Sequence, residues 1–117
     1  MENSCGESVE GYQERRRAVL RLEAEPGSEN LWEAISAFQG YPFQTRKGLN
    51  FSYTVKGGEL FFTRKEKSIT RATVELAYER AVELGGMVAG PKKLGVFGAS
   101  YLYPVFMRIG VIKNGEE

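Results

Sequence analysis

The chain has 117 residues, enough for one domain with a modest core, and carries a net charge of +1 from 16 Lys and Arg against 15 acidic residues. It contains no histidine and no aspartate, all its acids being glutamates, and its one cysteine is Cys5. Those absences exclude Ser-His-Asp and Cys-His triads, zinc sites built on His or paired Cys, EF-hand loops and a disulfide scaffold within one chain. No metal and no cofactor is therefore expected.

No apolar run approaches the roughly 18–20 residues that span a bilayer. The first ten residues are polar and lack the cationic-then-apolar form of a signal peptide. The expectation is a soluble, cytoplasmic, bacterial-type protein with no membrane partner, its single thiol fitting a reducing compartment. Charge is spread unevenly. Residues 1–33 hold eight Glu against four Arg, a net of −4, whereas residues 43–73 hold seven Lys or Arg against two Glu, a net of +5. A basic middle is what a polyanion-binding surface needs.

In chain order, residues 1–8 have little to bury and are expected as a disordered tail. From Val9 to Ala24 the residues favour helix, with Tyr12, Val19, Leu20 and Leu22 as its apolar positions and Arg15-Arg16-Arg17 on its exposed face. Pro26-Gly27 ends it. Ser28 is expected to cap a second helix. Leu31, Ala34, Ile35 and Phe38 fall there at i, i+3, i+4 and i+7, Trp32 flanks them, and Gly40 closes the helix. From Phe43 the pattern turns to period two. Phe51, Tyr53 and Val55 alternate with Ser52 and Thr54, Lys56-Gly57-Gly58-Glu59 makes a hairpin turn, and Leu60 to Arg64 returns. Phe43 to Arg46 adds a third strand at the edge.

Thr70 to Leu84 is the strongest helix, capped by Thr70, with Val74, Ala77, Tyr78 and Ala81 buried and Gly85-Gly86 as the stop. Gly90 to Gly95 reads as an ordered loop. A last helix runs from about Gly98 to Ile109; Pro104 sits inside it and costs nothing if the helix proper begins there. Val111 and Ile112 pack back, and residues 113–117 form a polar tail. The fold class is α+β: a small antiparallel hairpin sheet of two or three strands with about four helices, residues 9–112 forming one domain.

The stretch from Arg64 to Thr73 concentrates four cations and three hydroxyls where a strand passes into a helix start. Cations, hydroxyls and the free N–H groups of a helix N-terminus together make a phosphate-contacting surface. Candidate contacts are Arg46, Lys47, Arg64, Lys65, Lys67, Ser68, Thr70, Arg71 and Thr73. Downstream, Lys92 and Lys93 precede Gly95-Val96-Phe97-Gly98-Ala99-Ser100-Tyr101-Leu102-Tyr103. There Tyr101 and Tyr103 would stack on bases or bond phosphates, so Lys92, Lys93 and Tyr101 join the candidates. The phosphate-loop motif is absent: glycine spacing fits at Gly90 and Gly95, but Val96 and Phe97 stand at the Lys and Ser/Thr positions.

Thr70-Arg71-Ala72-Thr73-Val74-Glu75-Leu76-Ala77 resembles the start of the recognition helix of GntR-type winged-helix repressors, where a Ser/Thr-Arg-x-Thr-Val-x-x-Ala pattern opens the helix that enters the major groove. The resemblance implies DNA contacts from Arg71 and Thr73, with Val74 and Ala77 packed inward. It departs from the family at Ala81, where Leu is usual, and in having a hairpin where a helix-turn-helix has its first helix. Enzyme readings find little support. A metal-dependent nuclease site on Glu59, Glu66 and Lys67 lacks an aspartate, and a tyrosine-nucleophile site on Tyr101 or Tyr103 with Arg64 or Arg71 lacks a histidine. The sequence thus points to a small non-catalytic binding protein whose partner is nucleic acid, DNA ahead of RNA. The alternative is a protein-interaction or accessory module using the acidic N-terminal helix and exposed tyrosines.

Overall fold

The computed structural model describes residues 9–64 and 68–113. Among these are four α-helices and two small antiparallel sheets, an α+β fold as the sequence predicts. Backbone contacts divide the chain into two units, residues 1–38 and 39–117.

The first unit is helix α1 (Val9–Ala24) packed against helix α2 (Ser28–Ala37). The inward stripe of α1 differs from the expected one. Ala18 and Leu22 are buried, whereas Tyr12 and Leu20 are half exposed. Gly11, Arg15, Ala18 and Leu22 lie at i, i+4, i+7 and i+11, one line along a helix, and Leu20 falls on the far side. Arg15 therefore leaves the expected exposed face, and its guanidinium lies 5.7 Å over the Phe38 ring. Arg21 pairs with Glu33 at 2.7 Å.

In α2, Leu31, Ala34 and Ile35 are fully buried and Trp32 only partly so. The cap is Gly27 and not Ser28, because the Gly27 carbonyl already accepts the Leu31 N–H at 2.9 Å and so starts the helix one residue earlier. The helix also stops sooner than Gly40. Phe38 is the C-cap and bonds back to the Ile35 carbonyl, tightening the last turn.

The second unit begins with strand β1 (Phe43–Gln44), paired antiparallel with β2 (Asn50–Phe51), Phe43 opposite Phe51. This corrects the edge strand expected at Phe43 to Arg46: it belongs to its own two-stranded sheet. The turn between these strands is held by the Thr45 hydroxyl, which accepts the Leu49 N–H at 3.1 Å. Strands β3 (Tyr53–Lys56) and β4 (Glu59–Phe62) form the expected hairpin. Gly57 and Gly58 have φ of +58° and +77°, the pair of positive values a type I′ turn demands. The third strand of this sheet is β5 (Ile69–Thr70), paired with β4.

Helix α3 (Arg71–Glu83) follows at once, capped by Thr70, whose hydroxyl accepts the Thr73 N–H at 3.3 Å. Val74, Ala77 and Ala81 are completely buried, and Tyr78 is half-buried. A short 3-10 helix (Pro91–Leu94) leads to α4 (Ala99–Ile109), which contains Pro104 at its sixth position and does not begin there. Five buried residues of α4, Leu102, Tyr103, Val105, Phe106 and Ile109, outweigh the one backbone bond that proline removes. Phe43, Phe51, Tyr53, Phe62 and Tyr101 form a continuous aromatic cluster with ring centroids 5.0–5.9 Å apart. Gly98, just before α4, has φ of +79°, and a Cβ there would meet the Ile69 Cδ1 at 2.1 Å. A side chain at this corner would be strained by the positive φ and would force the Ile69 side chain to shift. Ile112 is buried, Val111 partly so, and the Lys113 N–H closes on the Gly86 carbonyl at 2.9 Å. The expected tail at 1–8 and the last four residues of the tail at 113–117 lie outside the described residues.

Candidate nucleic-acid interface

The candidate residues fall into two groups within the second unit. The first surrounds the start of α3, beside the Gly57-Gly58 turn. Antiparallel pairing sets Thr70 opposite Glu59, and the Arg71 N–H donates to the Gly58 carbonyl at 2.9 Å. Ser68 donates its hydroxyl to the Glu59 carboxylate. The Thr70 and Thr73 hydroxyls meet at 3.1 Å. Arg71 is half-buried, and its Nε donates to Glu75 Oε2 at 2.9 Å. This group therefore carries two carboxylates of its own, and the N–H groups of Arg71 and Thr73 are engaged within the fold. The element before α3 is a strand, so this helix start lacks the first helix of a helix-turn-helix.

The second group surrounds the β1–β2 turn. Arg46 and Lys47 stand exposed in that turn. The Arg46 Nη1 donates to the Ala89 carbonyl at 3.0 Å, next to the segment that bears Lys92 and Lys93, both exposed. The bond ties the Arg46-Lys47 turn to the chain three residues ahead of Lys92, while the Lys93 carbonyl accepts from the Arg80 Nε of α3 at 3.2 Å. Arg64 is also exposed and donates from Nε to the Asn50 carbonyl at 2.6 Å, on the same two-stranded sheet. Lys65 and Lys67 lie outside the described residues.

The aromatic candidates are placed differently from the expected stacking platform. Tyr101 packs edge-on to Phe51 at 5.0 Å and tilted to Phe62 at 5.2 Å, within the cluster. Tyr103 is buried, and its hydroxyl donates to the Val88 carbonyl at 2.8 Å. Burial among aromatic neighbours also pushes the Tyr53 hydroxyl pKa well above its ordinary value.

Between residues 41–46 and residues 103–108 of α4 lies an open groove of about 470 Å³. Its walls carry Tyr41, Phe43, Pro104 and Met107, and an arginine stands on each side. Arg46 lies 5.6 Å over the Tyr103 ring, and Arg108 lies 5.3 Å over the Tyr41 ring while its Nε donates to the Tyr41 hydroxyl at 3.1 Å. No glutamate is among the described residues lining it. Sequence reasoning named Arg46 but missed Tyr41, Met107 and Arg108. Their one available signal was a cation in the last turn of an amphipathic helix, where the macrodipole favours it.

The chain matches no protein-family profile, no curated protein and no solved structure. No helix among the described residues is long and apolar enough to cross a membrane, and no group of three or more His, Cys, Asp or Glu among them is placed to hold a metal ion.

Proposed function

We propose that this chain is a small non-catalytic nucleic-acid-binding protein of cytoplasmic, bacterial type, its affinity dominated by contacts to phosphate. One observation carries the reading: the Arg46–Ala89 hydrogen bond ties the Arg46-Lys47 turn to the chain three residues ahead of the exposed Lys92-Lys93 pair, which favours one basic cluster. Arg64, on the same small sheet, extends it. Such a cluster neutralises several phosphates of one strand, which is the main source of affinity for nucleic acid. Ser68, Thr70, Arg71 and Thr73 are the secondary contacts, because Ser68 already answers to Glu59, Arg71 to Glu75, and the Thr70 and Thr73 hydroxyls to each other.

The test is a titration of the full chain against labelled nucleic acid at several salt concentrations. Affinity should fall steeply, log K dropping by about 0.9 per phosphate neutralised on a duplex and about 0.7 on a single strand, per decade of salt. A flat salt response, or no binding at low salt, rejects the reading in favour of a protein-interaction module.

A further inference from the structure

We propose that the groove between residues 41–46 and α4 seats an unpaired nucleobase, so that the nucleic acid bound is single-stranded. The inference rests on the nucleic-acid reading above and deepens it. A phosphate site alone needs cations and hydroxyls at a surface. This groove adds an apolar interior, with Tyr41, Phe43 and Pro104 on facing walls, which suits the flat face of a base.

The two arginines stand on opposite sides of that interior, one on the β1–β2 turn and one on α4. Each has its guanidinium over a tyrosine ring, at 5.6 Å for Arg46 and 5.3 Å for Arg108. A guanidinium held over a ring by such a contact offers a planar cation that can stack on a base or grip the flanking phosphate, roles a lysine cannot fill in the same way. Met107 is 42% exposed at the groove edge, a soft side chain that adapts to either a purine or a pyrimidine. The lining combines positive charge with apolar surface and has no glutamate among its described residues, so it complements a ligand that is both planar and anionic. A duplex is excluded from this arrangement, since its bases are stacked inside two phosphate rails and enter a pocket only after a pair is broken.

The test compares the full chain against four labelled probes of about twelve nucleotides: oligo-dT, oligo-rU, an abasic strand and a duplex. Wild type should bind oligo-dT or oligo-rU about tenfold or more tightly than the abasic strand and more tightly than the duplex. Arg108→Lys, which keeps the charge and removes the plane, should weaken oligo-dT binding several-fold more than abasic-strand binding and so close most of that gap. As a readout independent of any variant, the Met107 methyl resonance should shift with oligo-dT and stay in place with the abasic strand. Equal binding of based and abasic strands, or preference for the duplex, overturns the base pocket while the phosphate reading stands. Absence of binding to every probe overturns both.

Discussion

Arg46 and Ala89 are joined by a hydrogen bond of 3.0 Å across 43 residues of chain. The adjoining Gly90 makes room for it, since a Cβ there would stand 2.8 Å from the same guanidinium nitrogen. Arg46→Ala removes one exposed hydrogen bond from the fold, worth about 1 kcal/mol or less. It removes a phosphate contact from the interface, so the slope of log K against log salt should become shallower by about 0.7–0.9. A melting curve and a salt series on the same variant measure both. An unchanged slope would remove Arg46 from the contact set.

Arg71→Ala separates the recognition-helix resemblance from the turn-centred interface. The Arg71–Glu75 pair is an i, i+4 pair about one-third exposed, with the cation on the N-terminal side, the weaker order on a helix. Its loss should change stability by no more than about 0.5 kcal/mol. Were Arg71 a base contact, duplex affinity would drop by about 1–3 kcal/mol. The turn-centred interface expects a drop below 1 kcal/mol, as a single partly screened phosphate contact gives.

Phe38 is 1% exposed at the end of α2. Phe38→Ala should cost on the order of 3–5 kcal/mol in urea unfolding, combining lost transfer energy with a residual cavity. A cost under about 1 kcal/mol would mean that α2 ends in solvent.

Tyr53 is buried, and its folded pKa is raised above the unfolded value near 10. The sign follows from where the proton is held. Below pH 10 both states keep it and stability is unaffected; above pH 10 the unfolded chain releases it while the folded chain does not, so stability falls as pH rises. Urea midpoints should therefore decline above pH 10 in wild type, and less steeply in Tyr53→Phe. Parallel declines in both proteins would assign the alkaline loss to other groups.

Gly98→Ala places a Cβ against Ile69 at a positive φ, and should cost on the order of 2–4 kcal/mol. Ile69→Val removes the colliding methyl. The double variant should be less destabilised than the sum of the singles by about 1 kcal/mol. Strict additivity would show that the corner relaxes without involving Ile69.

The elements legible in the sequence are those whose signals are local. Thr70 as cap, the Val74–Ala77–Ala81 line and Gly85-Gly86 delimit α3, and Gly57-Gly58 fixes the β3–β4 hairpin. Strands of two residues have no period to read, so the sequence alone puts β1 at the edge of the larger sheet and not in its own. The stripe of α1 is hidden from the sequence because Gly11 and Arg15, neither of them apolar, occupy half of it. The candidate site divides the same way. The cations stand out by charge alone, but whether a cation meets a carboxylate, as Arg71 does, or an aromatic ring, as Arg108 does, depends on contacts made in three dimensions. The partners Tyr41 and Arg108 are 67 residues apart, and no spacing rule links them.

That separation bears on the order in which the molecule assembles. From Tyr53 to Glu83, the hairpin, the β4–β5 pairing and the Gly58–Arg71 bond all close short loops, which is entropically cheap and fast. The groove requires Arg46 to find Ala89 and Arg108 to find Tyr41, the longest closures among these contacts. It is expected to be completed last in folding and to open first on local unfolding. In hydrogen exchange, the amides of the β1–β2 turn should then lose protection well before those of α3, and a bound strand should slow the former selectively. The groove is thus the part of the molecule that depends on distant stretches of chain, set on a hairpin-and-helix frame built from near ones.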